Sequence, residues 1–331
     1  MVGCSAPTPK PPLPPDSTAP APVSSASDPA NNVMERRAFP PLRDGEPLRR
    51  GIGYGPHREG QKPGGPDPTP TQIREDLELI AKRWQMLRFY GSRGPAETIL
   101  RTIREQELPL SVVVGAWIAP DDEPENQAEV EAAIALAKSY PEEVIAVAVG
   151  NETQIAWSGH RSDREDLIRY LRRVREAVTQ PVTTADDYNF WNKPESHAVA
   201  DEIDFILLHA YAMWNGQRLE QAVPWTETTV ASIRNEHPGI PIALGETGWA
   251  TELNPDGDEV KHIKAPAGEA QQKTFFDAFS HWADEAGLPY FYFEAFDEPW
   301  KGSDDPREVE KHWGLYHVDR TPKAALKGAT P

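Results

Sequence analysis

The regular alternation of short apolar segments with amphipathic ones, from Arg50 onwards, is what most constrains how this chain can fold. Each apolar segment has the pattern of a buried strand, and in the stretches between them apolar residues recur at helical spacing. This alternation is typical of a parallel sheet built from β/α units. The eight predicted strands are Gly51–Tyr54, Met86–Tyr90, Leu110–Trp117, Val144–Val149, Val182–Asp186, Phe205–His209, Ile240–Gly245 and Tyr290–Phe293.

Helix signals stand between the predicted strands. Thr69 and Pro70 are typical of an N-cap and a first-turn proline. Ser162 and Glu165 have the spacing of a capping box. Further helices are predicted over residues 96–106, 125–138, 226–235 and 269–285.

Eight strands with helices between them predict a closed (β/α)8 barrel, the TIM barrel of the α/β class. The alternative is an open doubly wound sheet. A nucleotide-binding version of that sheet would place a glycine-rich turn and then a helix after the first strand. Gly51–Gly55 is glycine-rich, but no helix is predicted to start there. The link over residues 188–203 is too poorly patterned to assign.

Residues 1–47 differ in composition from the rest and are predicted to form a disordered tether to a barrel domain over residues 48–331. They are rich in Pro, Ala and Ser and cannot bury enough apolar surface to offset the entropy of ordering. Cys4 with its Pro-rich spacer resembles the end of a bacterial lipoprotein signal, whose charged start and apolar core are missing here. We therefore expect lipidation of Cys4 and a place in the cell envelope, periplasmic or outer-membrane; the alternative is a stray cysteine in a low-complexity arm.

The charge balance excludes several classes of partner. Lys and Arg number 34 against 52 Asp and Glu, a formal net charge of −18, and no basic run compensates locally. Such a surface repels nucleic acid and anionic lipid and favours uncharged ligands.

A single cysteine excludes a disulfide framework, and no apolar run approaches the roughly 20 residues of a membrane span. We expect a monomer that contacts membrane only through a lipid anchor.

Aromatic residues collect after the predicted strands, at the end of the barrel where active sites form. Indole faces stack on the apolar faces of sugar rings, so an aromatic rim around acidic residues indicates a carbohydrate ligand. The alternative for each residue is ordinary packing beneath a loop. The residues in question are Tyr54, Tyr90, Trp117, Trp157, Trp191, Trp214, Trp249 and Trp300.

Two glutamates are the strongest catalytic candidates. Glu152 follows the fourth predicted strand and Glu246 follows the seventh, 94 residues later, which is close to three β/α units of about 31 residues. A carboxylate at the end of an apolar strand is typical of a residue that is used or paired, and Arg88 could pair with either. Cleavage of a glycosidic bond needs two carboxyl groups and neither a metal nor an organic cofactor.

At these residues the chain resembles glycoside hydrolase family 17, one of the retaining barrel families with catalytic acids on strands four and seven. The resemblance covers roughly Arg50 to Lys323. It rests on Gly150-Asn151-Glu152, on Gly245-Glu-Thr-Gly-Trp249, on Glu294-Ala-Phe-Asp-Glu-Pro-Trp-Lys301 and on His312-Trp-Gly-Leu-Tyr316.

The resemblance implies a role for each matching residue. It makes Glu152 the general acid/base and Glu246 the nucleophile, with Asn151 donating to the sugar 2-hydroxyl and Tyr211 supporting the nucleophile. Asp186 and Asp187 are read as loop acids that could also bond hydroxyls. The remaining residues expected to border or bind the sugar are Tyr54, Arg88, Tyr90, Trp249, Glu294, Glu298, Trp300 and Lys301. For Glu294, Glu298 and Lys301, a local ion-pair network is an equal alternative.

The predicted function is that of a retaining glycoside hydrolase acting on β-1,3-glucan or its oligosaccharides through a covalent glucosyl intermediate. Water reaching that intermediate gives hydrolysis and a second sugar gives transfer, so a β-1,3-glucanosyltransferase is the close alternative. A non-catalytic glucan-binding lipoprotein is the remote one, because it would have no reason to keep both glutamates.

Overall fold

The computed structural model describes residues 34–327. Cys4 and most of the predicted tether lie outside this range. A short antiparallel hairpin, β1 (Leu42–Arg43) and β2 (Glu46–Pro47), comes first. The eight strands that follow are β3 (Arg50–Gly53), β4 (Met86–Phe89), β5 (Ser111–Ala116), β6 (Val144–Asn151), β7 (Val182–Asp187), β8 (Ile206–His209), β9 (Ile242–Thr247) and β10 (Tyr290–Tyr292). They pair in parallel, and β10 closes onto β3, so the predicted (β/α)8 barrel is confirmed.

Helices cover the outside of the barrel. They are α1 (Pro70–Ile80), α2 (Ala96–Glu105), α3 (Glu123–Ser139), α4 (Arg164–Ala177), α5 (Tyr188–Trp191), α6 (His197–Ala200), α7 (Leu219–Glu236) and α8 (Glu269–Glu285). None of these helices, in the part of the chain that is described, is long and apolar enough to cross a bilayer.

The helix starts test the capping predictions. Thr69 caps α1 in a reciprocal capping box with Gln72, and Pro70 is the first helical residue, as predicted. The capping box predicted at Ser162 is wrong, because Asp163 caps α4 and accepts from the backbone N–H of Glu165. The Asp163 carboxylate takes the N-cap position predicted for the Ser162 hydroxyl. Either group can accept from the free backbone amides of the first helical turn.

The amino-terminal end of the barrel is closed by Phe39, which corrects the predicted domain boundary. Its ring stacks on Phe205 with centroids 3.8 Å apart, and Arg37 donates from its backbone to Asp204 at 2.6 Å. Residues from Arg36 onwards therefore pack on the barrel, and the tether predicted to run to residue 47 ends earlier. Composition suggests a tether because large apolar residues are few in residues 1–47 and Phe39 is the only aromatic one among them. Phe39 belongs to a buried apolar cluster together with Leu48 and with residues of the barrel strands and their ends: Met86, Val113, Ala146, Ala148, Ala185, Phe205, Leu207, Ala243 and Phe291.

Candidate active site

Glu246 lies in β9 near its carboxyl end and is buried between charged and polar groups. Arg88, from β4, donates to its Oε1 at 2.9 Å, and the Tyr211 hydroxyl donates to its Oε2 at 2.7 Å. Burial alone would raise the pKa of Glu246, but the charge of Arg88 and the hydrogen bond from Tyr211 oppose it, and the pKa is held below its ordinary value. These partners therefore favour the ionised carboxylate of the buried Glu246, which is the state a nucleophile needs.

Glu152 reaches the same space through an irregular end of β6. The β6–β7 register shifts between Ala148 and Asn151, and Gly150 and Glu152 have φ angles of +80° and +52°. A Cβ on Gly150 would lie 2.9 Å from the Thr153 methyl group, so only glycine fits. This turn leaves the Glu152 side chain partly exposed while its backbone N–H still donates to Ala185 O at 2.8 Å.

His209, at the end of β8, joins the two glutamates and was not nominated from the sequence. Its Nδ1 lies 2.9 Å from Glu152 Oε1, and its Nε2 lies 3.1 Å from Arg88 NH1 and 3.4 Å from Glu246 Oε1. Because a guanidinium only donates, Nε2 accepts from Arg88, and Nδ1 then carries the proton and donates to Glu152. The sequence offered one indication of a role for His209, namely that it is the last residue of a predicted strand, where barrel active sites form.

Arg88 organises this end of the barrel. Besides Glu246 it donates to Gly245 O at 3.0 Å and to Asn151 Oδ1 at 2.6 Å. The structure therefore brings Glu152, Glu246, Asn151, Arg88 and Tyr211 together, with Tyr90 beside them, its ring centroid 4.7 Å from the Arg88 guanidinium carbon.

Glu152, His209 and Glu246 each present one possible metal-ligand atom, and these atoms lie within 4.8 Å of one another. The Arg88 guanidinium already stands among them, within hydrogen-bond distance of Glu246 and His209. A cation placed there would face that fixed positive charge. The arrangement therefore favours an acid pair over a metal site.

Glu294, Glu298 and Lys301 form a buried ion-pair network. Lys301 Nζ lies 2.9 Å from Glu294 Oε2 and 2.6 Å from Glu298 Oε2. Burial and the neighbouring Glu298 charge raise the pKa of Glu294, whereas Lys301 overcomes burial and lowers the pKa of Glu298. The sequence left two roles open for these three residues, sugar binding and a local ion-pair network. Their burial favours the ion-pair network. Glu298 Oε1 also accepts from Trp300 Nε1 at 3.0 Å and so orients that partly exposed ring.

Three further acids surround the pair. Burial is the main cause that raises the pKa of Asp186 to about 7, of Asp187 to about 6 and of Glu310 to about 7, and the charge of Glu152 adds to each shift. The prediction of Asp186 and Asp187 as loop acids is wrong, because both are buried at the end of β7. Glu310, in the turn Val309–Lys311, was missed because it lies in a charged run that has no strand or helix pattern.

Three of the aromatic rim predictions require correction. Trp249 is fully buried against Phe275, with its Nε1 donating to Pro266 O at 3.1 Å. Trp191 is also fully buried, and the Tyr54 hydroxyl donates to Asp76 inside the protein. These rings pack beneath loops, so neither Trp249 nor Tyr54 presents a face to a sugar.

Other rim residues remain accessible. Trp157, on the loop after Glu152, is 67% exposed, and Trp300 is 37% exposed. Trp117 packs edge-on against His160 with ring centroids 4.5 Å apart. The accessible aromatic surface therefore lies on the loops that follow β5, β6 and β10, and Trp214, after β8, is also partly exposed.

Comparison with known proteins identifies relatives of this chain. A family model described as the BtgE/BtgC glycoside hydrolase domain matches residues 51–314. A glucan 1,3-beta-glucosidase of Arthroderma benhamiae is 29% identical over 283 residues, which cover 80% of this chain and 86% of that protein.

Solved structures agree in fold. The crystal structure of an endo-laminarinase from Formosa is 25% identical with a TM-score of 0.74, covering 84% of this chain and 86% of that one. A glycoside hydrolase family 17 beta-1,3-glucanosyltransferase from Rhizomucor miehei is 23% identical with a TM-score of 0.69, covering 84% and 97%, a likeness that shows the fold alone.

Proposed function

The chain belongs to the BtgE/BtgC glycoside hydrolase domain family, within glycoside hydrolase family 17, and on that premise we propose that it cleaves β-1,3-glucan with retention of configuration. The observation that carries the proposal is the carboxylate pair. One oxygen of Glu152 lies within 4.8 Å of one of Glu246. Retaining enzymes hold their carboxyl groups about 5 to 5.5 Å apart, whereas inverting enzymes need about 6.5 to 9.5 Å to admit a water.

The different surroundings of the two glutamates suit two different roles. Glu246 is buried, accepts from Arg88 and Tyr211 and stays ionised, so it attacks the anomeric carbon. Glu152 is partly exposed and is oriented by His209, so it gives its proton to the glycosidic oxygen as the carbon–oxygen bond breaks. In the second step Glu152 takes a proton from water, the water oxygen bonds to the anomeric carbon, and Glu246 leaves as a carboxylate.

The substrate class rests on the relatives. The Arthroderma benhamiae protein is named for 1,3-beta-glucosidase activity and the Formosa enzyme for laminarinase activity. A neutral glucan also suits a chain with a net charge of −18, because such a substrate is not repelled.

Transglycosylation is the second candidate, and exposed Trp157 favours it. This ring stands five residues after Glu152, on the loop beside the acid that protonates the departing sugar. An indole face there can hold a second sugar against the glucosyl intermediate in competition with water.

A time course with end-labelled laminari-oligosaccharides of increasing length separates the two activities. Products that are only shorter than the substrate mean hydrolysis, and longer products mean transfer. Proton NMR of the first product formed reports its anomer. An α-anomer as the first product, or no product from any oligosaccharide, would contradict the proposal.

We also propose that Cys4 anchors the natural protein in the cell envelope as a lipid-modified monomer. The support is the placement of Cys4 before a spacer rich in Pro, Ala and Ser. Metabolic labelling with an alkyne fatty acid should mark the wild type and not Cys4→Ser. Equal labelling of both would refute lipidation at this residue, and size-exclusion chromatography of detergent-free Cys4→Ser tests the monomer.

A further inference from the structure

A cavity of about 640 Å³ opens at the amino-terminal end of the barrel, away from the catalytic glutamates. We call it the basal cavity. Its wall includes the hairpin β1–β2, the residues that lead into β3, and the loop between α1 and β4. Its charged and amide-bearing lining residues are Arg43, Glu46, Arg49, Arg50, Lys82, Arg83, Gln85 and Asp284.

The lining is basic, although the whole chain carries a net charge of −18. Five cationic side chains line the cavity against two carboxylates. Arg50 binds Asp284 through two hydrogen bonds, of 3.1 Å and 2.6 Å, and so neutralises it. Apart from Arg50 and Arg83, three cations, Arg43, Arg49 and Lys82, face the one remaining acid, Glu46, which is exposed on the hairpin.

Arg43 and Arg83 are both held in place by hydrogen bonds to the protein. Arg43 donates to Pro109 O and to Ser111 Oγ, both at 2.7 Å, and Arg83 donates to Leu326 O at 3.2 Å. The two acceptors of Arg43 are neutral, so they orient its guanidinium without cancelling its charge.

Arg49 and Lys82 make no side-chain hydrogen bond or ion pair to any residue in the range 34–327. The guanidinium carbon of Arg49 would lie 3.8 Å from a Cβ on Gly287, so the Arg49 side chain lies along the turn after α8. Gln85 uses its Oε1 to accept from the Arg49 and Arg50 backbones, which leaves its amide N–H₂ as a neutral donor. The cavity therefore offers several unused donors and an excess of positive charge.

We propose that the basal cavity binds a phosphate-bearing anion. Four of its five cations are arginines, whose planar fork of donors matches phosphate oxygens. The acidic remainder of the surface repels anions, so binding would be confined to this one concave site. The cavity lies at the opposite end of the barrel from Glu152 and Glu246, so this ligand is distinct from the glycan. Its phosphate comes either from a soluble anion or from a lipid headgroup, both of which present the same chemistry.

Isothermal titration of the full chain with inorganic tripolyphosphate at low salt tests the site. The double variant Arg49→Gln, Lys82→Gln removes the two unpaired cations and should weaken binding at least about tenfold. The matched control is Arg101→Gln, Lys138→Gln, which has the same net charge and changes two exposed positions on α2 and α3. Both double variants should keep wild-type cleavage of laminari-oligosaccharides, which checks that they are folded.

Co-sedimentation with vesicles identifies the source of the phosphate. Vesicles of phosphatidylcholine with one quarter phosphatidylglycerol carry anionic headgroups, and pure phosphatidylcholine vesicles are the neutral comparison. Pelleting with the anionic vesicles that is lost in the Arg49/Lys82 variant assigns a lipid headgroup. Tripolyphosphate binding without pelleting assigns a soluble anion. The proposal is overturned if neither probe binds the wild type, or if both double variants bind equally well.

Discussion

At the scale of single residues, the proposed mechanism gives opposite tasks to two side chains of the same type. Arg88 and Tyr211 donate to Glu246 and favour its ionised form despite burial. Glu152 has one nitrogen of His209 as its partner and keeps contact with solvent. The division of roles therefore comes from what surrounds each carboxyl group and not from its chemical type.

Replacement of the nucleophile has a distinctive outcome. Glu246→Ala should lower kcat by a factor on the order of 10⁴ or more, because the covalent intermediate cannot form. With an activated aryl β-glucoside, added azide should occupy the vacated space and attack the same face, giving an α-glycosyl azide. Product NMR checks the anomer. A Glu246→Ala enzyme with near-normal rates would rule out Glu246 as the nucleophile.

His209 should act by positioning Glu152. His209→Ala should slow cleavage of oligosaccharides by about 10² to 10⁴, the usual contribution of general acid catalysis. It should slow a dinitrophenyl β-glucoside far less, because that leaving group needs no proton. The ratio of the two rates separates this role from general destabilisation. His281→Ala, an exposed histidine on α8, is the control, and an equal slowing of both substrates would count against the positioning role.

Asp186 should make stability depend on pH. Burial raises its pKa from 3.8 to about 7, so between these values the folded protein holds a proton that the unfolded chain has released. Stability then falls as pH rises through this window. Asp186→Asn loses a hydrogen bond at every pH but does not titrate, so its Tm relative to wild type should rise from pH 5 to pH 8. Exposed Asp256→Asn should show no such trend, and a flat difference for Asp186→Asn would refute the prediction.

At the scale of elements, the end of β6 determines where the acid stands. A regular strand would point successive side chains to opposite faces, but Gly150 and Glu152 both adopt positive φ and break that alternation. The motif Gly150-Asn151-Glu152 therefore meets a conformational requirement of the backbone as well as supplying the acid.

Gly150→Ala should test this requirement. The added methyl meets Thr153 at 2.9 Å and strains a φ of +80°, so we expect a loss of about 1 to 3 kcal/mol in unfolding free energy and at least a tenfold lower kcat. Gly239 has a φ of +82°, and a Cβ added there would have no neighbour within 4 Å, which makes Gly239→Ala the matched control. Both should be destabilised in urea, and only Gly150→Ala should lose activity; equal activities would show that Glu152 tolerates the shift.

At the scale of the whole molecule, residues 36–48 complete the barrel. Phe39 fills the interior at the amino-terminal end, where Phe205 and Phe291 lie, and the hairpin that follows forms part of the wall of the basal cavity. A segment whose composition resembles a tether is thus part of the core.

Removal of the Phe39 ring should destabilise the folded protein. Phe39→Ala should lower the free energy of unfolding by about 3 to 5 kcal/mol, because it empties space beneath the strands. Leu42→Ala, at a 67% exposed position on the hairpin, should change it by less than about 0.5 kcal/mol. Urea unfolding followed by tryptophan fluorescence measures both. Similar values for the two variants would mean that Phe39 does not seal the barrel in solution.

The sequence by itself determined the barrel, because each strand and helix carries its own local period and the order of elements sets the topology. It also determined the positions of Glu152 and Glu246, since a strand end followed by an acid is visible in one dimension. The family motifs predicted the Arg88 and Tyr211 positions for the same reason.

Only the tertiary structure decided which side chains share a space. His209 became visible as the bridge between the glutamates when β6, β8 and β9 met at one end of the barrel. Trp249 and Tyr54 proved to be packing residues, because burial depends on what covers a ring and not on its place after a strand. The cations of the basal cavity do not form one basic run in the sequence. They come from residues 43–50 and 82–83, which only the folded barrel brings together. Contacts between distant segments depend on three-dimensional packing, for which local patterns carry no signal.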